Sequence, residues 1–226
     1  MNFAFSEEQE ELRKIVKAFL DTKSPEAEVR RLMETEEGYD PAVWDQMATQ
    51  MGLQSIIIPE EYGGSGYSYV ELIVVLEEMG RRLLCAPYFS TVVLAANTLL
   101  HSGDDEAKAA LLPGIASGET KATLAFTEEN GRWDEEGITL AASQAGDGWT
   151  LSGTKMFVLD GHTADLILVA ARTDAGVSLF HLPGDAAGLT RTALSTMDQT
   201  RKQAKLEFAD TPATLLGTDG AGWPVL

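Results

Sequence analysis

The sequence is poor in several things that particular functions need. Cys85 is its single cysteine, so no disulfide can close within the chain, and a reducing, cytoplasmic setting is the default expectation. The histidines, His101, His162 and His181, stand too far apart for ligand spacing, and no metal centre is expected. No apolar run reaches about 18 residues, so no membrane span is expected. Met1 to Phe5 opens into acidic residues without the basic n-region and apolar h-region of a signal peptide. Positive charge is scarce: 17 Lys and Arg against 35 Asp and Glu leave a net charge of -18 and a pI near 4.4. That argues against nucleic acid as a partner, because phosphate binding needs a basic face, and against an anionic membrane surface. No G-x-S-x-G elbow is present for Ser-His-Asp chemistry. The glycine-rich loop Gly63, Gly64 and Gly66 is followed by no Lys-Ser/Thr pair, so a tight turn at positive φ is expected there rather than a phosphate cradle.

What is present is enough for one large or two ordinary domains: 226 residues, 44% hydrophobic. The first part has helical periodicity. Ser6 with Gln9 makes a capping box, and Leu12, Ile15, Val16, Phe19 and Leu20 follow as one apolar stripe. Thr22 to Tyr39 is charged and less regular. Asp40-Pro41 starts a second helix with Trp44, Met47, Ala48 and Met51 on its buried face, ended by Gly52. Ser68 with Glu71 caps a third, lined by Leu72, Val75, Leu76 and Met79, with Gly80, Arg81 and Arg82 at its C-terminal end. Ser90 is expected to cap a fourth helix through Leu100. Asp104 or Asp105 caps a fifth, which Pro113-Gly114 is expected to close.

Beyond the Gly118-Glu119-Thr120 turn the period becomes two-fold. Ile138, Leu140 and Ala142 alternate, as do Trp149, Leu151 and Gly153. Leu166 to Ala171 reads as a buried strand. Val177 to Leu182 is another, ended by Pro183-Gly184, and Leu189 to Leu194 and Ala204 to Phe208 complete the set. Short strands between Gly, Asp and Pro turns predict an antiparallel sandwich or barrel. The fold class is therefore α+β: an N-terminal all-helical domain over residues 1–118, then a small antiparallel β-barrel or sandwich over 119–215. Residues 216–226 form the start of a linker.

The stretch from Thr123 to Gly161 carries the densest signal. An apolar strand ends at Thr127-Glu128 and breaks into a turn, Glu129-Asn130-Gly131-Arg132-Trp133-Asp134. The chain returns through Gly153-Thr154-Lys155-Met156-Phe157-Val158-Leu159-Asp160-Gly161. Two strand ends and two turns placed together can form the wall of a cofactor pocket. These segments resemble the T-E-P-x-x-G-S-D turn and the G-x-K-x-W-I-T-N-G strand of the acyl-CoA dehydrogenases. The N-terminal F-S-E-E-Q-E-E-L-R, the I-P-E-E-Y-G-G-S-G loop and the closing L-E-F-A-D…L-L-G…G-A-G-W are similar to that family in the same order, so the resemblance covers the whole chain.

The resemblance implies an FAD-dependent enzyme that makes an α,β-double bond in an acyl-CoA thioester of lipid or sterol side-chain metabolism. It implies assembly into a homo- or hetero-oligomer with similar subunits, and an electron-transfer flavoprotein as acceptor. The family carries its catalytic glutamate in a C-terminal helical bundle, which is expected to lie beyond Leu226, so no catalytic residue is assigned in this chain. Flavin contacts are implied for Phe126 and Thr127 and, on the second strand, for Phe157, Val158 and Leu159. Thr127 could instead cap a turn, and Phe157, which stands where the family has Trp, could be a core residue. Leu159 replaces a Thr and loses its hydrogen bond. Substrate contact is implied for Trp133, which replaces a Ser, and for Asp134. Arg132 reads first as a solvated surface residue and second as a local charge for CoA. The departures at Glu129, Trp133 and Leu159 point to a branch in which two unlike subunits share flavin sites. The alternatives are a non-catalytic structural partner of such an assembly, or a flavin monooxygenase on the same fold.

Overall fold

Ser6 starts the first helix as its spacing predicts: its hydroxyl accepts from Gln9 N at 3.2 Å while Gln9 Oε1 accepts from Ser6 N at 2.9 Å. The computed structural model describes residues 4–146 and 148–226; the Met1–Phe3 start, read above for a leader, lies outside them. Helix α1 runs Glu7–Lys23, α2 Glu26–Met33, α3 Pro41–Thr49 and α4 Tyr69–Arg81. The capping residues of α1 and α4 also join the two helices, because Gln9 Nε2 donates to Glu71 Oε1 at 2.7 Å. Their apolar stripes meet in one core of Val16, Leu20, Trp44, Met47, Leu72, Val75 and Met79. Helix α2 lies in the stretch that reads as irregular. Only Val29 and Leu32 of it are buried, and i,i+3 and i,i+4 ion pairs from Arg31 to Glu28 and Arg30 to Glu26 support its outer face. So short an apolar face leaves little periodicity to detect.

Two helix ends differ from expectation. A π-helical stretch, Phe89–Ala96, precedes α5, Asn97–His101, and the backbone is already helical at Tyr88. Ser90 therefore caps nothing; its fully buried hydroxyl donates to Asp160 Oδ2 at 2.6 Å. Helix α6, Asp105–Ala116, is capped by Asp104 and runs through Pro113. An internal proline opposes a helix by about 3 kcal/mol. Here the following turn is held by burial of Ile115 and Ala116 against the β-unit. In the glycine loop, Gly63 and Gly66 have φ of 79° and 65°, as a tight turn requires. Gly64 is needed for a different reason: a Cβ there would lie 1.8 Å from the Ile58 carbonyl oxygen.

The strands are β1 Ala122–Ala125, β2 Ala141–Ala145, β3 Gly148–Leu159, β4 Leu166–Thr173, β5 Gly176–Pro183, β6 Leu189–Leu194 and β7 Gln203–Leu216. Pairings β4–β2, β2–β3, β3–β7, β7–β5 and β5–β4 return to their start, so the sheet closes into a barrel. Closure removes the free edges that an open sheet would expose. The pairing is antiparallel except along β4, where β1 and the Ala141–Arg172 bridge of β2 are parallel. The barrel is filled by Leu151, Ile167, Val169, Phe180, Leu206 and their neighbours. Residues 217–226 lie back on this unit rather than leaving it: Gly222 N donates to the Val177 carbonyl at 2.7 Å, and Asp219 Oδ1 accepts from Thr173 and Ser178 hydroxyls. No helix among the described residues is long and apolar enough to cross a membrane.

The π-helical stretch and α6 press on the outer face of β1 and β4, where Ala96, Leu99, Leu112 and Ile115 share a core with Leu124, Leu168 and Leu179. Thr91 bonds both the N–H and the carbonyl of Ala122 there, at 3.0 and 3.1 Å. Asp160 sits at the same junction. Burial pushes its carboxyl up from 3.8 to about 6, against the opposing effects of the Ser90 hydroxyl and Arg201. The folded protein thus holds this proton to about pH 6 while the unfolded chain releases it near 4. Stability should fall by on the order of 2 kcal/mol as pH rises across that window. Asp160→Asn, which keeps an acceptor for Ser90, is expected to remove this part of the decline and to be the more stable protein at pH 8. Urea denaturation of both proteins from pH 4 to 8 measures it, and parallel curves would exclude Asp160 as the source.

Candidate functional site

The site grows out of one buried ion pair. Lys155 on β3 is wholly buried, and its ammonium donates to Glu128 Oε1 at 2.6 Å and to the Phe126 carbonyl at 3.1 Å. Glu128 lies just past β1 and is 5% exposed. Its carboxylate also accepts the Thr139 and Leu140 N–H groups at 2.8 and 2.9 Å, and the Thr139 hydroxyl. Burial works to raise the Glu128 pKa, but donation from Lys155, Thr139 and the Leu140 amide outweighs it and holds the carboxyl below its usual value. Burial draws Lys155 down to about 8, with Glu128 opposing the fall. Both groups are therefore charged at neutral pH, and each charge is met by the other and by hydrogen bonds from or to the neighbouring backbone.

This pair determines where the next side chains go. Lys155 pairs with Leu206 on β7 and Val158 with Ala204, so three residue steps on β3 match two on β7. The extra residue makes a β-bulge. Lys155 and Val158 both face inward and are buried, which forces Met156 and Phe157 out between them. Phe157 takes φ 58°, a left-handed conformation costly for a bulky side chain and typical of sites where a residue is aimed rather than packed. Its ring is 49% exposed. Met156 N donates to the Thr127 carbonyl at 2.9 Å, which ties the bulge to the end of the β1 segment.

A cavity of about 480 Å³ opens over the bulge, lined by Phe89, Leu94, Leu124, Phe126, Thr127, Trp133, Met156, Phe157, Val158, Leu159 and Gln203. It gathers Phe126, Thr127, Trp133, Phe157, Val158 and Leu159, all read from the sequence as site residues. Trp133 is 77% exposed and meets Phe126 edge-on, ring centroids 5.4 Å apart at 83°. Asp134 is not among the lining residues. Its carboxylate accepts the Gly137 N–H at 3.0 Å and pairs with Arg132 at 2.9 Å. Arg132 also pairs with Glu136 at 2.7 Å, so its charge is already taken on the solvent side.

The donor set suits a flat, largely apolar ring with a polar edge. Aromatic faces of Phe157 and Trp133 are exposed around the cavity. The Thr127 hydroxyl caps no turn and has no partner among the described residues, and the same holds for the Gln203 carboxamide. Leu159 offers no side-chain donor, and its carbonyl already accepts from Thr123 Oγ1 at 2.6 Å. A flavin ring fits this arrangement, with Thr127 and Gln203 as free polar groups and Phe157 as a stacking face.

The sequence reading did not single out Phe89, Leu94, Met156 or Gln203. Phe89 and Leu94 come from the helical unit and Gln203 from β7, and no local pattern links these to the motif strand. The Glu128–Lys155 pair left a legible sign, a Glu and a Lys of opposite charge inside two otherwise apolar strand ends. Lys155→Met leaves Glu128 buried without its counter-ion and is expected to destabilise the protein by about 3–5 kcal/mol. Adding Glu128→Gln should recover a large part of that loss. Urea denaturation of the three proteins tests it, and a Lys155→Met loss no greater than that of Lys23→Met on the surface would refute the role of the pair.

Comparison with known proteins gives a consistent result. The family model for the acyl-CoA dehydrogenase N-terminal domain matches residues 6–119, and that for the acyl-CoA dehydrogenase middle domain matches residues 123–211. The chain is 33% identical over 196 residues to the acyl-CoA dehydrogenase FadE27 of Mycobacterium tuberculosis, covering 87% of this chain and 51% of that protein. It is 38% identical over 197 residues to the acyl-CoA dehydrogenase IpdE2 of Mycolicibacterium smegmatis, covering 85% and 59%. Among solved structures, the ChsE4–ChsE5 complex of M. tuberculosis superposes with a TM-score of 0.88 at 28% identity, over 100% of this chain and 61% of that one. The chain thus spans about half the length of the curated relatives it matches.

Proposed function

The chain belongs to the acyl-CoA dehydrogenase family, and we propose that the protein is an FAD-dependent dehydrogenase that introduces an α,β-double bond into an acyl-CoA thioester. The observation that carries this reading is the aromatic cavity over the Phe157 bulge, with the unspent Thr127 hydroxyl at its wall. Bound FAD would supply the redox chemistry by accepting the β-hydrogen as hydride. The residues of this chain bind and orient. Phe157 offers a ring face to the isoalloxazine, Thr127 and Gln203 offer polar contacts to its edge, and Phe126 and Leu124 keep water from one side. Trp133 and Phe126 form the wall nearest the mobile end of a thioester ligand, where Trp133 narrows the space. Asp134 acts through Arg132, by setting the loop that carries Trp133, rather than by touching the ligand. No proton-transfer group is assigned to this chain, because the family resemblance puts the catalytic glutamate in the C-terminal helical bundle.

The similarity to the ChsE4–ChsE5 complex supports an assembly of unlike subunits, and we infer a substrate from lipid or sterol side-chain metabolism. Electrons would pass to an electron-transfer flavoprotein in a cytoplasmic setting. A non-catalytic partner subunit is the second reading. It is favoured by Leu159, which has no side-chain donor and whose carbonyl is committed to Thr123.

The visible spectrum of the full-length protein, purified alone and with its co-expressed paralogue, separates the two. A flavin band that bleaches anaerobically on adding an acyl-CoA is the expected result. Absence of flavin in both preparations, with none taken up from added FAD, would overturn the flavoenzyme reading. Flavin only in the co-expressed complex would favour the partner-subunit reading. Within the flavin-binding protein, Phe157→Ala is expected to weaken FAD binding about 3- to 10-fold through loss of the stacked ring, as measured by flavin fluorescence titration. Unchanged affinity would remove Phe157 from the site.

A further inference from the structure

One carboxyl group joins the two structural units at the mouth of the aromatic cavity. Asp160 follows the motif strand, close after Phe157, in a left-handed conformation at φ 52°. Ser90, next to Phe89, reaches it: Ser90 Oγ lies 2.6 Å from Asp160 Oδ2 and 3.1 Å from the Pro87 carbonyl. A single hydroxyl hydrogen thus faces two acceptors, and the proton on Asp160 decides between them. Protonated, Asp160 donates to Ser90 Oγ and Ser90 donates to Pro87; ionised, Asp160 takes the Ser90 hydrogen.

Arg201 is the second partner. It lies close enough for its charge to act on Asp160, yet its Nη1 is spent on the Leu84 and Thr200 carbonyls, at 2.7 and 3.0 Å. The Leu84 bond pins a strained turn, since Leu83 before it is left-handed at φ 49° and largely exposed. From that turn the chain runs through Cys85 and Tyr88 to Phe89. Phe89 walls the aromatic cavity. With Arg201 it also walls a groove of about 700 Å³ that continues past Phe157, and a recess of about 200 Å³ lined by Leu84 and Ala86. The segment 83–89 is therefore a lip of the cavity, held by Arg201 at one end and by Ser90 at the other. Among the described residues, the other groups near Asp160 are few. Cys85 is the titratable group that its charge reaches from this segment. Asp198 acts through Arg201. Lys202 offers its carbonyl to Asp160 N at 2.9 Å, while its ammonium is turned to the Met33 carbonyl at 2.7 Å. His162, on the same turn, is bonded to the Glu36 carbonyl at 2.8 Å.

We infer that Asp160 is a positioning residue that latches this lip by its proton: protonated, it leaves Arg201 on the Leu84 carbonyl and holds Phe89 closed, and ionised, it draws Arg201 away and lets the 83–89 segment open. In the open state the carboxyl regains water and its ordinary value of 3.8, whereas burial in the closed state holds the proton to about 6. Between these values opening releases a proton, so rising pH favours it. The latch works whatever ligand the cavity takes.

Cys85, 3% exposed in the middle of the segment, is a built-in probe. The full-length protein is treated with methyl methanethiosulfonate at several pH values from mildly acidic to mildly basic, and each rate is divided by that of glutathione at the same pH. From about pH 5 to about pH 8 the normalised wild-type rate should rise about 10-fold, with its midpoint near the carboxyl's value of about 6. Asp160→Asn should keep the low rate throughout, and Arg201→Gln should be fast throughout. By charge alone, an ionised Asp160 raises the Cys85 pKa and Arg201 lowers it, so electrostatics without opening would slow wild type at high pH and slow Arg201→Gln. The sign of the change therefore separates the two. The rates should hold steady up to about 1 M urea, because local opening exposes little surface. A wild-type rate without a step, a step shared by Asp160→Asn, an Arg201→Gln rate no higher than that of the closed protein, or rates that climb with urea as global unfolding does would each overturn the latch. Amide exchange of residues 83–96 in wild type, corrected for the intrinsic rate, must show the same pH step, so a variant that fails to fold leaves the test standing.

Discussion

Lys155 is an ammonium ion with no access to water, and the structure around it is arranged to make that tolerable. Its charge is met by Glu128, and Glu128 is in turn met by two backbone amides and a hydroxyl from the Thr139–Leu140 segment. A buried pair of this kind adds little net stability compared with apolar packing, because desolvating two ions offsets their attraction. Its value lies in what it forbids. With Lys155 held inward, the register of β3 cannot slip. With Val158 also held inward, the surplus residue must bulge outward, and Phe157 is the residue that does so. The orientation of the exposed ring at the centre of the site is thus set by a charge pair beneath it.

The two structural units divide the labour along the same lines. The barrel supplies a rigid wall, since the pairings of β2, β3, β4, β5 and β7 close on themselves and the interior is filled. The helical unit supplies the opposite lip through Phe89 and Leu94 on the π-helical stretch, seated by the buried hydroxyls of Ser90 and Thr91. Two polar residues inside a helix of otherwise small and apolar side chains are what register that helix against the barrel. The junction carries its own electrostatic cost at Asp160, which is retained where the motif strand turns toward Arg201 and Lys202.

Charge distribution connects these features to function. A chain this acidic repels anionic ligands at long range, and most of its cations are neutralised by neighbouring carboxylates. Arg132, at first sight the basic residue of the motif, belongs to that neutralised majority. Arg201, in the wall of the cavity that adjoins Phe157, instead faces the carboxylates of Asp160 and Asp198.

Much of this was legible without coordinates. Capping boxes at Ser6 and Ser68 and the change of period near Gly118 are local signals, determined by hydrogen bonding and side-chain spacing within a few residues. Burial of Leu166 to Ala171 follows from its composition alone. The two motif segments, read as parts of one wall, do meet, because a strand end and a bulge need only short-range chemistry to announce themselves. What tertiary structure decided was everything that depends on residues distant in the chain. Helix α6 continues through Pro113 because the barrel buries the turn beyond it. Ser90 turns from a helix cap into a partner for Asp160, 70 positions away. Phe89, Gln203 and Arg201 join the groove only once β7 lies beside β3 and the π-helical stretch lies on β1. Sequence determined the elements and the apolar faces, since these are properties of spacing. Which polar groups were left unspent, and therefore free to bind a ligand, was a remainder that only the completed hydrogen-bond and ion-pair network could define.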